Sequence, residues 1–381
     1  MKLLVVSFPC VTAINQSFYA DVKKETGWEV TLVIPKRWKT EYGQIEGCER
    51  WPSFRGKIVC HPIFLPGDIP RHIYRSWFVD VIRNENPDAI YMHHEPYGFA
   101  TFQVYAANRI AGKRPIGFYA AQNLLKRYPP PISQLERWVF RESSYAFPVT
   151  TGAREILRTK HYKGRAEVLP LAVSSDIYKP SPEWSQTYRE QMNIPAKRVI
   201  FGYIGRLVEE KGLFTLFSAL KSLHDVDWEL YLIGGGPLED ELRKRTSSLG
   251  HDMQNRIKFI GYVPHADAPK WLSMLDVMVL PSETRANWKE QFGRVLVESM
   301  ACGTPVVGSD SGEIPKIIAA TGGGIIFPEA NASALAEALR QMGSSEDVRN
   351  RYAENGRSAV LVGYDQVRLA QKFASVIEEA V

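Results

Sequence analysis

Residues 281–308 read Pro281-Ser-Glu-Thr-Arg-Ala-Asn-Trp-Lys-Glu290-Gln-Phe-Gly293-Arg-Val-Leu-Val-Glu298-Ser-Met-Ala-Cys-Gly303-Thr-Pro305-Val-Val-Gly308. The apolar run Val277-Met-Val-Leu in front of this stretch is a strand, and the polar residues that follow it form a loop. The pattern predicts a helix over Phe292–Cys302 that Gly303 and Pro305 stop, with a new strand at Val306-Val307. Strand, loop, helix and strand in that order make up the repeating piece of a parallel α/β sheet. Glu290 falls before the helix and Glu298 two turns inside it, with a glycine at the helix entry. A helix N-terminus offers unpaired N–H groups and a partial positive charge, so it suits a phosphate. Two carboxylates flanking such an anion site can hold the two ends of a ligand whose middle is anionic, and a nucleotide-sugar has that form.

The stretch resembles the signature of retaining GT-B glycosyltransferases of family 4, in which two glutamates are separated by seven residues. That family reads Glu-Gly-Phe-Gly at the first glutamate and Glu-Ala-Met-Ala-Cys-Gly-x-Pro-Val-Val from the second. Here Gln291 stands for the first glycine and Ser299 for the alanine, and the rest of the frame matches. The segment Phe201-Gly-Tyr-Ile-Gly205-Arg206-Leu-Val-Glu-Glu-Lys211-Gly212 matches every position of the family's Gly-Arg-Leu-x-x-x-Lys-Gly diphosphate clamp. On residue chemistry alone, Gly205 permits a tight turn, and Arg206 and Lys211 place two cations just past a strand's C-terminal edge, where open α/β sheets bind ligands. A solvated helix start is the plainer explanation of the same residues.

Outward from these segments, short strand-like runs alternate with amphipathic stretches along the whole chain. The first set is Leu3–Ser7, Val30–Ile34, Ile58–Ile63, Ala89–His93, Ile116–Ala120, Ala146–Val149 and Glu167–Leu169. The second is Val199–Ile204, Glu229–Ile233, Ile257–Ile260, Val277–Leu280, Val306–Val307 and Gly324–Phe327. Two doubly wound α/β domains in tandem are expected, and a length of 381 residues is ample for two cores. The proline- and serine-rich Leu169–Pro182 reads as the linker. It also resembles the family's Pro-Asn-Gly-Val-Asp connector, with Leu171-Ala172 in place of Asn-Gly. Three helical patterns close the chain at about 331–342, 346–356 and 364–379. The resemblance implies a GT-B fold: Rossmann-like domains over 1–172 and 173–361 facing across a cleft, with 362–381 crossing back onto the first.

The resemblance also implies roles. Glu290, Lys211 and Arg206 become the catalytic set. Glu298, Gln291, Phe292, Gly293, Gly205 and Tyr262 become donor contacts, with Tyr262 in Gly261-Tyr-Val-Pro264 near the nucleobase, where core or surface packing explains it as well. Gly234-Gly-Gly-Pro237 can line the same cleft or serve as a plain strand-to-helix turn. The first loop, Phe8–Gln16, lacks the family's glycine pair. The histidine that the family carries after the fifth strand is missing: the place reads Tyr119-Ala-Ala-Gln122-Asn123. Acceptor or sugar contacts are therefore carried over to Gln122, Asn123, His93 and Gln16 only as polar groups. Asp225-Val-Asp227 precedes a strand instead of following one and reads as a solvated pair, so no metal is expected and no cofactor is required beyond a UDP-, GDP- or ADP-sugar co-substrate.

Composition bounds the remainder. The apolar and charged fractions of 45% and 23% are those of an ordinary soluble enzyme. Cys10, Cys48, Cys60 and Cys302 show no Cys-x-x-Cys pair or metal spacing, and read as reduced thiols. Met1–Phe8 reads as a first strand and not a signal peptide, and a cytoplasmic protein is expected, peripheral on the inner face of the membrane if it binds lipid. Residues 1–170 carry 24 Lys and Arg against 15 Asp and Glu, a net +9, while the remainder is −4, giving the overall +5. A basic first half suits an anionic acceptor or membrane surface. Arg71-His-Ile-Tyr-Arg75-Ser-Trp77-Phe78, and Lys126-Arg127 with Arg137-Trp138, interleave cations and aromatics as an interfacial segment would, or as a surface helix with its aromatics in the core. Nucleic-acid binding is not expected, because the basic residues are dispersed. The activity implied is transfer of a sugar from a nucleotide diphosphate to a hydroxyl of a sugar, lipid-linked or small-molecule acceptor, with domain closure limiting donor hydrolysis. The competing readings are another GT-B enzyme, such as a sugar-nucleotide epimerase or a phosphorylase, or a non-catalytic nucleotide-sugar-binding protein.

Overall fold

The β-branched and leucine-rich runs become strands that lie side by side in parallel. A computed structural model describes residues 1–40, 45–248 and 250–381, with backbone alone at 45, 46, 251 and 252. The chain divides into two units, Met1–Ala172 with Gln366–Val381, and Val173–Asp365.

The first unit is built from β1 (Lys2–Val6), α1 (Ser17–Thr26), β2 (Glu29–Pro35), β3 (Arg37–Lys39), β4 (Ile45–Gly47), β5 (Lys57–His61), β6 (Ile63–Phe64), β7 (Ile73–Tyr74), α2 (Phe78–Glu85), β8 (Ala89–Met92), α3 (Phe99–Ala111), β9 (Ile116–Ala120), α4 (Ile132–Glu142), β10 (Tyr145–Pro148), α5 (Thr151–Thr159) and β11 (Arg165–Ala166). Seven strands form one sheet in the order β11-β10-β9-β8-β1-β2-β5, every neighbouring pair parallel. Side chains alternate across a strand, so Leu3 and Val5 enter one core cluster while Leu4 and Val6 enter the other. A strand with both faces covered reads as an unbroken apolar run, which is why these elements were legible. Two short antiparallel pairs, β3 with β4 and β6 with β7, were not. The expected run at Glu167–Leu169 pairs two residues earlier, at Arg165–Ala166 beside Tyr145–Ala146.

The expectation of four reduced thiols is corrected. Cys48 and Cys60 are joined by a disulfide, their Cα atoms 6.4 Å apart and twelve residues separated in sequence. Cys48 follows β4 and Cys60 lies within β5, so the fold and not a local spacing motif brings the pair together. Cys10 and Cys302 are free and buried, and burial pushes both thiols up to about 12, which keeps them protonated and unreactive.

The second unit follows with α6 (Pro182–Gln191), β12 (Val199–Ile204), α7 (Leu213–Lys221), β13 (Trp228–Ile233), α8 (Glu239–Ser247), α9 (His251–Arg256), β14 (Ile257–Gly261), α10 (Ala268–Met274), β15 (Val277–Leu280), α11 (Arg294–Ala301), β16 (Val306–Ser309), α12 (Ile314–Thr321), β17 (Gly324–Phe327), α13 (Ala332–Ser344) and α14 (Glu346–Gly363). Its sheet runs β14-β13-β12-β15-β16-β17, again parallel throughout. The last helix, α15 (Gln366–Glu378), belongs to the first unit, where Phe373, Ala370 and Ile377 share a core cluster with Leu3 and Val5. The chain leaves the second unit after Asp365 and not near 361, because Tyr364 accepts a hydrogen bond from Val173 N at 2.9 Å and Asp365 bridges Val173.

Candidate active site

Each sheet has one place where successive strands leave in opposite directions, and loops on either side of that place diverge to leave a crevice. In the second unit the chain goes from β12 to β13 and β14 on one side, then returns to lay β15 and β16 on the other. The switch point therefore lies between the loops after β12 and β15, at the C-terminal edge of the sheet. Those loops carry Lys211 and Glu290, one from each of the two motifs that the sequence singled out. Lys211 Nζ lies 2.5 Å from Glu290 Oε2, across seventy-nine residues of sequence, and the pair is largely shielded from solvent.

The backbone that presents Lys211 is tightly held. Glu209–Lys211 form a single 3-10 turn, closed by Gly212 at φ 65. A Cβ at Gly212 would lie 1.8 Å from the Pro281 carbonyl oxygen, so only glycine lets the β12 loop touch the β15 loop. Glu283 N donates to Glu210 O at 2.8 Å, and Glu283 is fixed by Thr215 Oγ1 at 2.6 Å and Arg285 at 2.8 Å. Two further residues, which sequence reading did not flag, complete the surroundings of the pair. Ser282, fully buried, donates to Glu290 Oε2 at 2.8 Å, and the Lys211 ammonium sits 5.0 Å from the centre of the Trp288 ring. Ser282 is the second residue past β15, and position at the sheet edge is the signal that could have found it. An ammonium has three donors, so Lys211 can serve an incoming oxyanion while keeping Glu290.

The helix of the quoted stretch starts later than expected. Gly293 adopts φ 75 as the N-cap of α11, a conformation that other residues enter only with strain, so Phe292 and Gly293 belong to the approach and helical residues run from Arg294 to Ala301. Glu298 is thereby a little over one turn into the helix, not two. It is buried and ion-paired with Arg294 one turn earlier at 2.8 Å. The Glu290 carbonyl accepts from Glu313 N at 3.2 Å, which ties its backbone to the β16 loop. Gln291 is exposed and Phe292 buried. Gly205 and the half-buried Arg206 occupy the β12 loop itself, and the Arg206 carbonyl accepts from the Tyr203 hydroxyl at 2.5 Å. Tyr262 follows β14, the edge strand, and is 41% exposed. Asp225 and Asp227 are engaged by Arg340 and Arg198 in exposed ion pairs, and no cluster of three or more metal-ligating side chains occurs among the described residues.

The first unit has its own switch point, between β1 and β8. There Ser7 Oγ and the Tyr19 hydroxyl lie 3.2 and 3.1 Å from His93 Nδ1, and the Tyr119 ring packs edge-on at 5.0 Å. His94 is buried against His72, ring centres 5.1 Å apart, with Phe8 edge-on to both. Burial lowers both imidazoles below their usual range, so they stay neutral. Past β9, Gln122 and Asn123 are buried. Their loop is anchored by Glu95, whose Oε1 accepts from Ala121 N at 2.8 Å. Burial pushes the Glu95 carboxyl up to about 7, partly offset by backbone donors and by Lys160, which itself pairs with Glu136 at 2.7 Å. Sequence reading gave Glu95 no role of its own. Gln16 is fully buried with its amide spent on the backbone of Cys10, Glu49 and Trp51, a structural clamp joining two loops.

Two tandem parallel α/β units, one with a charged pair at its switch point, define a GT-B protein, and comparison with known proteins agrees. Similarity to solved structures extends over the whole chain: to sucrose-phosphate synthase from Thermosynechococcus elongatus, with a TM-score of 0.76 at 19% identity covering 100% of this chain and 98% of that one, and to Anabaena HepE in complex with UDP, with 0.76 at 19% covering 100% of each. Residues 185–359, a little under half of the chain, match the model of the family described as glycosyl transferases group 1. Among curated relatives, the alpha-D-kanosaminyltransferase of Streptomyces kanamyceticus is 25% identical over 312 residues, covering 78% of this chain and 79% of that protein. The GDP-mannose-dependent alpha-(1-6)-phosphatidylinositol monomannoside mannosyltransferase of Mycobacterium tuberculosis is 29% identical over 217 residues, 55% of each. The chain thus matches most of the first relative and about half the length of the second.

Proposed function

We propose that the protein transfers a sugar from a nucleotide diphosphate donor to an acceptor hydroxyl, with retention at the anomeric carbon in the manner of family 4. The observation that carries this reading is the Lys211–Glu290 pair at 2.5 Å, built across the switch point of the second unit. Lys211 and Arg206 take the diphosphate, with amides of Gln291–Gly293 at the approach to α11. Cations aimed at a leaving diphosphate count toward rate because its charge grows as the glycosidic bond breaks. Glu290, held by Lys211 and Ser282, accepts from sugar hydroxyls and orients the anomeric carbon. Glu298 takes the ribose hydroxyls once Arg294 yields or shares it, and Tyr262 stands nearest the base.

In the bond-changing step the anomeric C–O bond to phosphate breaks and a C–O bond to the acceptor forms on the same face. The departing phosphate oxygen takes the acceptor's proton, so no protein base is called for, which suits a β9 loop bearing Gln122 and Asn123 in place of histidine. The first unit would hold the acceptor, a sugar or a lipid-linked molecule, through His93, Gln122 and Asn123. Relatives that act in glycoconjugate synthesis and neighbours solved with UDP support this class of donor and product. A panel of UDP, GDP and ADP in thermal-shift assays tests the donor, since a ligand that binds the native state raises its melting temperature. One nucleotide should stand out in wild type and lose its effect in Lys211→Ala. Equal shifts in both proteins would reject the assignment.

A further inference from the structure

Among the described residues, the large apolar side chains exposed to solvent are mostly scattered singly, as at Ile110, Met192, Ile326 and Val362, which is ordinary for a protein surface. One hairpin breaks that pattern. Phe64, Leu65, Ile69 and Trp77 are 51, 54, 40 and 67% exposed, and all four belong to β6, β7 and their flanks. The segment is not loose. Its inward residues His72 and Tyr74 are buried in the Phe8–Trp38–His94 cluster. Gln103 bonds both the N–H and the carbonyl of Tyr74 at 2.9 and 2.7 Å, Arg75 N donates to Pro62 O, and Phe99 N to Pro70 O. An ordered hairpin holding four large apolar groups in water has a cost that some contact must offset.

The charges around those groups identify the contact. Residues 63–77 contain one acid, Asp68, which is consumed by Arg71 at 2.7 Å. Arg71 and Arg75 are exposed on the same hairpin, the latter with its guanidinium 5.0 Å from the Phe64 ring centre. The Gly67 turn lies against the backbone of Lys39, bringing β3 with exposed Arg37 and Lys39 alongside. A tryptophan and aliphatic side chains ringed by cations, on a half of the chain with net +9, complement a surface that is apolar beneath and anionic on top. We propose that the hairpin Ile63–Trp77 docks the first unit on an anionic lipid bilayer, its apolar side chains entering the headgroup layer and Arg71 and Arg75 meeting lipid phosphates. The hairpin hangs from the C-terminal end of β5, on the edge of the sheet that bears His93 and Gln122. Docking there deepens the reading of the first unit as acceptor-binding, on which this consequence rests: the acceptor is drawn from the membrane and is lipid-linked.

Flotation of the full chain with vesicles of phosphatidylcholine alone, or with a third phosphatidylglycerol, tests this. Wild type should float with the anionic vesicles, at least tenfold more weakly with the neutral ones, and should come off in high salt. Phe64→Ser with Trp77→Ser, and separately Arg71→Glu with Arg75→Glu, should each reduce binding tenfold or more. Sedimentation and the nucleotide thermal shift should be unchanged in both. Flotation of both variants like wild type, or of wild type with neither vesicle, would overturn the proposal. So would a wild-type dimer that both variants dissolve, since a second copy would then cover the hairpin. Absence of any nucleotide shift in a wild type that still floats would instead sink the glycosyltransferase reading and leave docking standing.

Discussion

The two switch points are the same in topology and opposite in chemistry. Between β12 and β15 the second unit places a carboxylate, Glu290, that accepts from an ammonium at 2.5 Å and from a buried hydroxyl at 2.8 Å. Between β1 and β8 the first unit places a histidine among Ser7, Tyr19 and Tyr119, beside neutral buried imidazoles. A parallel sheet supplies the crevice in both cases, and the loops decide what fills it. An ion pair at one crevice suits the proposed diphosphate, whose charge increases during reaction. A neutral, aromatic lining at the other fits the hydroxyls and apolar faces of a sugar.

The largest effect should fall on the charged side. Lys211→Ala removes the cation from both the diphosphate and Glu290, and kcat/KM for sugar transfer should drop roughly a thousandfold or more. A drop of less than tenfold would erase the contrast between the units. On the neutral side, Gln122→Ala or His93→Ala should raise the acceptor KM about ten- to a hundredfold while leaving nucleotide binding intact. Loss of nucleotide binding in those variants would assign the neutral crevice to the donor.

A smaller effect concerns stability. Gly212→Ala forces a Cβ against the Pro281 carbonyl and should lower stability by about 2–4 kcal/mol in urea unfolding. A change under about 0.5 kcal/mol would mean that the two loops do not meet as described. The smallest is a pH dependence. The Glu95 carboxyl, ordinarily near 4.5, titrates at about 7 in the folded chain. Between those values the folded state binds more protons than the unfolded one, so stability from this group falls as pH rises from about 4.5 to 7 and is level above. The lowered imidazoles of His72 and His94 act the other way, costing stability as pH falls below 6.5. Glu95→Gln should therefore melt higher than wild type near pH 8, by about 1–3 kcal/mol at most, and the difference should vanish near pH 4. A difference that is constant with pH would reject the raised carboxyl.

How much could be read beforehand followed burial. Strands covered on both faces announce themselves as apolar runs, so β1, β2, β8, β12, β13 and β15 were legible. The two-residue strands β6 and β7 have no periodicity to read, so Arg71–Phe78 was noted for its cations and aromatics, but not as half of a hairpin. Lys211 and Glu290 were found through the two motifs that hold them, one intact and the other nearly so. Ser282 and Trp288 were missed because neither residue type carries a signature; only the fold brings them to the pair. Gln16 was offered as a polar acceptor or sugar contact in the first loop, yet its amide is consumed by three backbone groups, which sequence cannot foresee. The Cys48–Cys60 link escaped for the same reason, since tertiary closeness leaves no mark in local spacing. In the second unit the helix was expected to run through Gly293, and a left-handed residue there delays its start by two residues, to Arg294, which brings Glu298 nearer the helix start.

Titration calorimetry of the preferred nucleoside diphosphate into wild type, Lys211→Ala and His93→Ala weighs the two crevices directly. The charged crevice as donor site predicts binding by wild type and His93→Ala with matching affinity, and a loss of roughly a hundredfold in Lys211→Ala. Undiminished binding by Lys211→Ala, or its loss in His93→Ala alone, would contradict it.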